Sequence, residues 1–166
     1  TMDRIDRDGE DLAGLFEEAE QVVFSGCGSA YNASFAIAPW FQAHTGLCCR
    51  PVHASEFLLF NDMFLCEGRK TVAVMISRSG STTETLAAQR KAAEIGCSTL
   101  AVTCFPESPM AREADRALVL EDASEKSVAT TRSLTSMILA GNYLAARMVD
   151  EEAHSSGFRK LPALAS

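Results

Sequence analysis

The chain has 166 residues, 47% of them hydrophobic and 22% charged, which is the length and balance of one globular domain rather than two. Its formal net charge of −7 excludes the clustered Lys and Arg of a nucleic-acid footprint or of a surface for anionic membranes. The same charge repels an anion at long range, so any phosphate site must rest on local dipoles and hydroxyls.

In chain order, Leu12, Leu15, Phe16 and Ala19 stand at helical spacing and predict an amphipathic helix over 8–20. A short apolar strand over 21–24 then meets the glycine turn Ser25-Gly26-Cys27-Gly28. Ser29 is placed to cap a helix reaching residue 44, with Gly46 beyond its end. Pro39 lies inside that helix, where a bend or break is expected. A strand over 47–52, a short helix over 54–60 and an exit loop over 61–68 follow. The clearest buried strand is TVAVMI at 71–76, a continuous, β-branched apolar run. After a loop at 77–81 come a helix over 82–95 closed by Gly96, a strand over 98–103 and a short helix over 110–114. A last strand over 117–120, a polar stretch over 121–127 and a long helix over 128–151 complete the pattern.

Strands therefore alternate with helices, which implies right-handed crossovers and a parallel sheet covered on both faces. The expected fold class is α/β, a three-layer, doubly wound, five-stranded parallel sheet of the flavodoxin-like kind. The expected organisation is a helical lead-in at 1–20, one domain at 21–151 and a tail at 152–166. No run is patterned as a signal peptide or is long and apolar enough for a membrane span, so a cytoplasmic chain is expected. Six cysteines, at 27, 48, 49, 66, 97 and 104, include no C-x-x-C pair, and adjacent Cys48 and Cys49 would face opposite sides of a strand. They read as small buried hydrophobes in a reduced compartment, and no metal is expected.

Open parallel sheets bind ligands beyond the carboxyl ends of their strands. Three loops at that edge carry unusual chemistry. Ser77-Arg78-Ser79-Gly80-Ser81-Thr82-Thr83 lies between a buried strand and a helix, so hydroxyls, amides and a helix dipole could converge there on one anion. Arg78 could add a charge-assisted contact or point to solvent, and the serines could instead be an ornate helix cap. Ser25-Gly26-Cys27-Gly28-Ser29-Ala30 resembles a dinucleotide loop, but Tyr31 stands where G-x-G-x-x-G needs its third glycine. That argues against a nicotinamide cofactor, and no cofactor is expected; a smaller ligand at Gly28 and Ser29 is. The third loop, Glu125 to Thr131, reads either as a second capped helix start or as a place where Glu125 and Thr130 meet sugar hydroxyls. Spacing alone does not choose.

The motifs together resemble the SIS (sugar isomerase) family. Cys27-Gly28-Ser29-Ala30-Tyr31-Asn32 resembles the C-G-T-S-Y-N element in the isomerase part of glucosamine-6-phosphate synthases, and Ala54-Ser55-Glu56-Phe57 its A-S-E-F element. Ser77-Arg78-Ser79-Gly80-Ser81-Thr82 is similar to the S-Q-S-G-E-T phosphate loop, and the stretch from Glu125 to Ser133 to E-x-x-V-A-S-T-K-x. The variant S-R-S-G leans toward tagatose-6-phosphate ketose/aldose isomerases. The resemblance implies that Ser77, Arg78, Ser79 and Thr82 hold the phosphate of a phosphorylated sugar, while Cys27, Gly28, Ser29, Val128, Ala129 and Thr130 line the sugar. Arg78 and Ser81 depart from the usual Gln and Glu.

Aldose–ketose isomerisation needs a base that moves a proton between neighbouring carbons. In double-domain relatives the implied base lies in a second such domain or a C-terminal tail, so the chain reads as the first half of an isomerase or of a glucosamine-6-phosphate synthase- or deaminase-like enzyme. Glu56 is the candidate base within this half, although a capping or dimer-contact carboxylate is the simpler reading. The alternative function is a non-catalytic, phosphosugar-sensing domain of a regulator. A homodimer is expected in either case.

Overall fold

Five runs form strands, with β1 and β3 wholly buried and the edge strand β2 mostly part-buried: β1 (Gln21–Gly26), β2 (Cys48–His53), β3 (Thr71–Ile76), β4 (Ser98–Thr103) and β5 (Arg116–Val119). The computed structural model describes residues 6, 11–127, 129–149 and 158. All four strand pairings are parallel and the sheet order is β2-β1-β3-β4-β5, which is the doubly wound order expected from the sequence. The helices are α1 (Ser29–Thr45), α2 (Ala54–Phe64), α3 (Thr83–Glu94), α4 (Pro109–Glu113) and α5 (Arg132–Val149).

Strand order dictates the layers. The step from β1 to β2 runs one way along the sheet, and the later steps all run the other way, so right-handed crossovers put α1 on one face and α2, α3 and α4 on the other. Side-chain alternation along each strand feeds both faces. Val22, Phe24, Val72, Val74, Ile76, Leu100 and Leu118 pack under α1 and α5, whereas Val23, Ala73, Met75 and Ala101 pack under the opposite helices. The second face is built from small residues, with Ala88 and Ala92 of α3 fully buried on Ala73 and Ala101. Phe57 of α2 is fully buried there, and removing such a ring from water is worth roughly 2–3 kcal/mol.

Several boundaries differ from expectation for physical reasons. Residues 11–14 are helical and 15–18 form turns, with Leu12 and Phe16 buried as the spacing predicts. Pro39 does not interrupt α1. It deprives the Phe35 carbonyl of its helical donor, but both residues face solvent, where water replaces the lost bond. The N-cap of α1 is Gly28 rather than Ser29, at φ +55°. Helix α2 runs four residues further than expected, to Phe64, through a non-helical Phe60 at φ −136°, ψ 37°. Helix α5 starts at Arg132, later than the 128 expected, because a carboxylate described below captures its first turn.

Of the six cysteines read as buried hydrophobes, Cys97 and Cys104 are buried, whereas Cys27, Cys48, Cys49 and Cys66 are only part-buried. Burial pushes the Cys49 thiol up to about 12, and likewise raises Cys97 and Cys104. Among the described residues no helix is long and apolar enough to cross a membrane, and no group of three or more His, Cys, Asp or Glu is placed to hold a metal.

Candidate functional site

Gly26 of β1 pairs with Ile76 of β3, so Cys27 and Ser77 leave the sheet side by side. From there the chain turns to opposite faces, into α1 and α3, and the crevice between them is the topological switch point of the sheet. A pocket of about 180 Å³ opens there, walled by the 77–82 loop, Cys27, Ser29, Ala30 and the first two turns of α5. Tight packing fixes its floor. A Cβ on Gly26 would lie 2.7 Å from the Ile76 carbonyl and 2.9 Å from the Ala30 Cβ.

The hydroxyl loop is internally organised. Ser77 Oγ lies 2.9 Å from Thr82 Oγ1 and 3.5 Å from Ser79 Oγ, and accepts from the Gly80 N–H at 3.2 Å. Ser79 Oγ accepts from the Ser81 N–H at 3.2 Å. Three hydroxyls thus gather on one side of the turn. Gly80 is obligatory at φ +60°, and a Cβ there would come within 2.1 Å of Ser108 Oγ. The loop is also anchored from β4: the Arg78 carbonyl accepts from Cys104 N–H at 3.0 Å and from Thr103 Oγ1 at 3.1 Å.

Three helix N-termini, those of α1, α3 and α5, converge on the pocket. They are not equivalent. Neither Gly28 nor Thr82 caps its helix with a side chain; the Thr82 hydroxyl turns to Ser77 instead. The positive ends of α1 and α3 therefore remain available to an outside anion, which a serine-rich cap would have consumed. At α5 the opposite holds. Glu125 accepts from the Thr131, Arg132 and Ser133 amides and from the Thr131 and Ser133 hydroxyls, the last at 2.6 Å. Those bonds, the Ser133 hydroxyl foremost, hold the Glu125 carboxyl down at about 2.

Of the residues singled out from sequence, Cys27, Ser29, Ser77, Arg78, Ser79, Thr82 and Thr130 line this pocket together. Cys27 is half-buried, with the Thr85 hydroxyl donating to its sulfur at 3.6 Å. The Thr130 hydroxyl is shielded from solvent with no partner among the described residues, an unmet polar group at a pocket wall. Four expectations fare differently. Glu125 is the cap of α5 and not a pocket-lining acceptor, because its oxygens are committed to the helix. Gly28 serves as backbone pivot, and Ala129 is exposed away from the lining. Glu56 sits exposed in the first turn of α2 and does not line the pocket. Val128 lies outside the described residues.

Sequence reasoning missed Ser133, Leu134 and Met137, which form the wall opposite the hydroxyl loop. A signal existed: with Thr130 they stand at i, i+3, i+4 and i+7, one face of a helix. His53 caps α2 by accepting the Ser55 N–H at 3.3 Å, and His44 stacks on Trp40 with ring centroids 4.0 Å apart. Neither lines the pocket. A larger cavity of about 480 Å³ lies at the amino ends of the strands, lined by Glu17, Glu18 and Lys70; Glu18 pairs with the Lys70 ammonium, and the net negative charge that Glu17 leaves disfavours an anion.

Comparison with known proteins gives this architecture its context. The family model described as SIS domain matches residues 15–147. The chain belongs to the SIS family. This SIS domain is 33% identical over 128 residues to the glutamine–fructose-6-phosphate aminotransferase (isomerizing) of Shewanella oneidensis, covering 76% of the chain and 20% of that relative. It superposes on tagatose-6-phosphate ketose/aldose isomerase from Escherichia coli with a TM-score of 0.82 at 20% identity, over 99% of the chain and 48% of the isomerase. The C-terminal domain of glucosamine-fructose-6-phosphate aminotransferase from Francisella tularensis gives a TM-score of 0.81 at 22% identity, over 98% of the chain and 49% of that structure. The SIS domain thus spans a fifth of the first relative and about half of each solved structure, and the structural likenesses bear on the fold.

Proposed function

We propose that this SIS domain binds a phosphorylated sugar at the switch point, as the first half of a sugar-phosphate isomerase or of a glucosamine-6-phosphate synthase- or deaminase-like enzyme. The observation that carries the reading is the pairing of three converged hydroxyls, from Ser77, Ser79 and Thr82, with two helix N-termini that lack side-chain caps. A dianion placed there meets donors and two positive dipole ends without any need for a favourable net charge. The sugar then lies against Cys27, Ser29, Thr130 and Ser133, with Ile76, Leu134 and Met137 as its apolar backing.

The described lining holds no carboxylate, histidine or lysine. Isomerisation needs such a base, so turnover depends on a group supplied from beyond this lining, and the domain alone binds without substantial catalysis. Glu56 acts as that base only if a neighbouring domain or subunit brings sugar and carboxylate together. The proposal includes a homodimer, supported by Leu59, Phe60 and Met63 of α2, which stand 68%, 51% and 71% exposed. It also includes a cytoplasmic location, a compartment that suits six cysteines with no C-x-x-C pair among them.

Calorimetric titration with fructose 6-phosphate and inorganic phosphate tests the reading. Binding of both, weakened about tenfold by Ser77→Ala, is expected from the loss of one hydroxyl contact to a charged ligand. Wild-type binding of neither ligand sinks it, and so does rapid isomerisation by the isolated domain for the claim about catalysis.

A further inference from the structure

Arg78 is the one cationic side chain in the described lining, and the obvious role for it is to grip the phosphate. The geometry points elsewhere. Its Nη1 donates to the main-chain carbonyl of Ser127 at 2.6 Å, across 49 residues of sequence. Its own backbone is locked at the end of β4 through the Cys104 and Thr103 bonds, so the side chain reaches out from a fixed base.

We infer that Arg78 is a positioning residue that fastens the sugar-facing wall to the phosphate loop, a role that rests on the phosphosugar reading above. Two anchors hold the segment entering α5. Glu125 binds the Thr131–Ser133 amides at one end, and Arg78 holds the Ser127 carbonyl beside it. Between the anchored Ser127 and the anchored Thr131 lies Thr130, whose shielded hydroxyl has no partner within the described protein. Holding Ser127 therefore sets where Thr130 stands relative to Ser77, Ser79 and Thr82. A guanidinium suits this task, because its planar fork commits one N–H to a carbonyl in a fixed direction. The phosphate is left to the hydroxyls and helix amides.

The consequence is a split between two ligands. Inorganic phosphate reads the loop alone, whereas fructose 6-phosphate reads the loop and the wall together. Calorimetry on the whole chain is expected to show Arg78→Ala weakening fructose 6-phosphate about tenfold more than it weakens inorganic phosphate. Arg78→Lys keeps a donor able to reach the Ser127 carbonyl and is expected to restore most of that discrimination. In the ligand-free protein, amide resonances of residues 129–134 are expected to move in Arg78→Ala. The two ligands weakening in equal proportion would make Arg78 a phosphate ligand and overturn the inference. Still resonances at 129–134, or a lysine variant indistinguishable from alanine, would overturn it as well. Failure of the wild type to bind either ligand is a different result, and it strikes the phosphosugar reading itself. Arg78 is only half-buried, so thermal unfolding of each variant serves as a check that the fold is intact.

Discussion

Ser77 concentrates the chemistry of the loop in one buried hydroxyl, which touches Ser79, Thr82 and the Gly80 amide. Ser77→Ala leaves that amide on the Ser77 carbonyl alone, at 3.2 Å, and removes the hydroxyl's contacts to Thr82 and Ser79, so a stability loss of about 1 kcal/mol accompanies its expected binding defect. Gly80 has no such latitude. Gly80→Ala forces a Cβ to 2.1 Å from Ser108 Oγ at φ +60°, and a loss of about 2–4 kcal/mol is expected in urea denaturation, from left-handed strain plus overpacking. Glu125 leaves a signature in pH. Its carboxyl lies at about 2 in the folded chain against an ordinary 4.5, so its contribution to stability is fully present above about pH 4.5 and is lost as pH falls toward 2. The stability gap between wild type and Glu125→Gln is therefore expected to be constant from pH 7 to 5 and to shrink below 4.5 in acid denaturation profiles. A gap that widens on acidification contradicts the capping assignment.

Helices α1 and α5 meet at Gly141, where a Cβ would stand 2.7 Å from Ile37 Cγ2 and 2.9 Å from its Cδ1. Gly141→Ala is expected to cost about 1–3 kcal/mol through overpacking. Combining it with Ile37→Ala, which removes the clashing methyls, should cost less than the sum of the two single changes; a double-mutant cycle by chemical denaturation measures the difference. Legibility also differs by element. Strand β3 is plain in the sequence because a strand buried on both faces must be a continuous apolar run, and TVAVMI is one. The start of α5 is not, because its cap reaches back six to eight residues from Thr131 and Ser133 to Glu125, outside the local cap patterns that spacing reveals. The hydroxyl loop is readable because its partners are its own neighbours. The role of Arg78 is hidden, since its partner is 49 residues away. Glu56 draws attention through motif position alone, which says nothing of where a side chain faces.

At the scale of the molecule, the proposed anion site lets a chain of net charge −7 meet an anion with hydroxyls and amides, by running two helices without side-chain caps and a hydroxyl turn into one crevice of a doubly wound sheet. Among the described residues, α2 also exposes an apolar surface at Leu59, Phe60 and Met63. Replacing Leu59 and Met63 together by Glu is expected to shift the protein from dimer to monomer in sedimentation, with phosphate binding retained; a wild type that is monomeric at all concentrations removes the dimer from the account. The central claim is the location of the anion. It is tested most directly by amide resonance mapping as fructose 6-phosphate is titrated into the labelled chain. The account predicts the largest shifts at residues 77–84, 29–31 and 130–137. Shifts confined to the cavity around Glu17, Glu18 and Lys70, or no shifts at all, would contradict it.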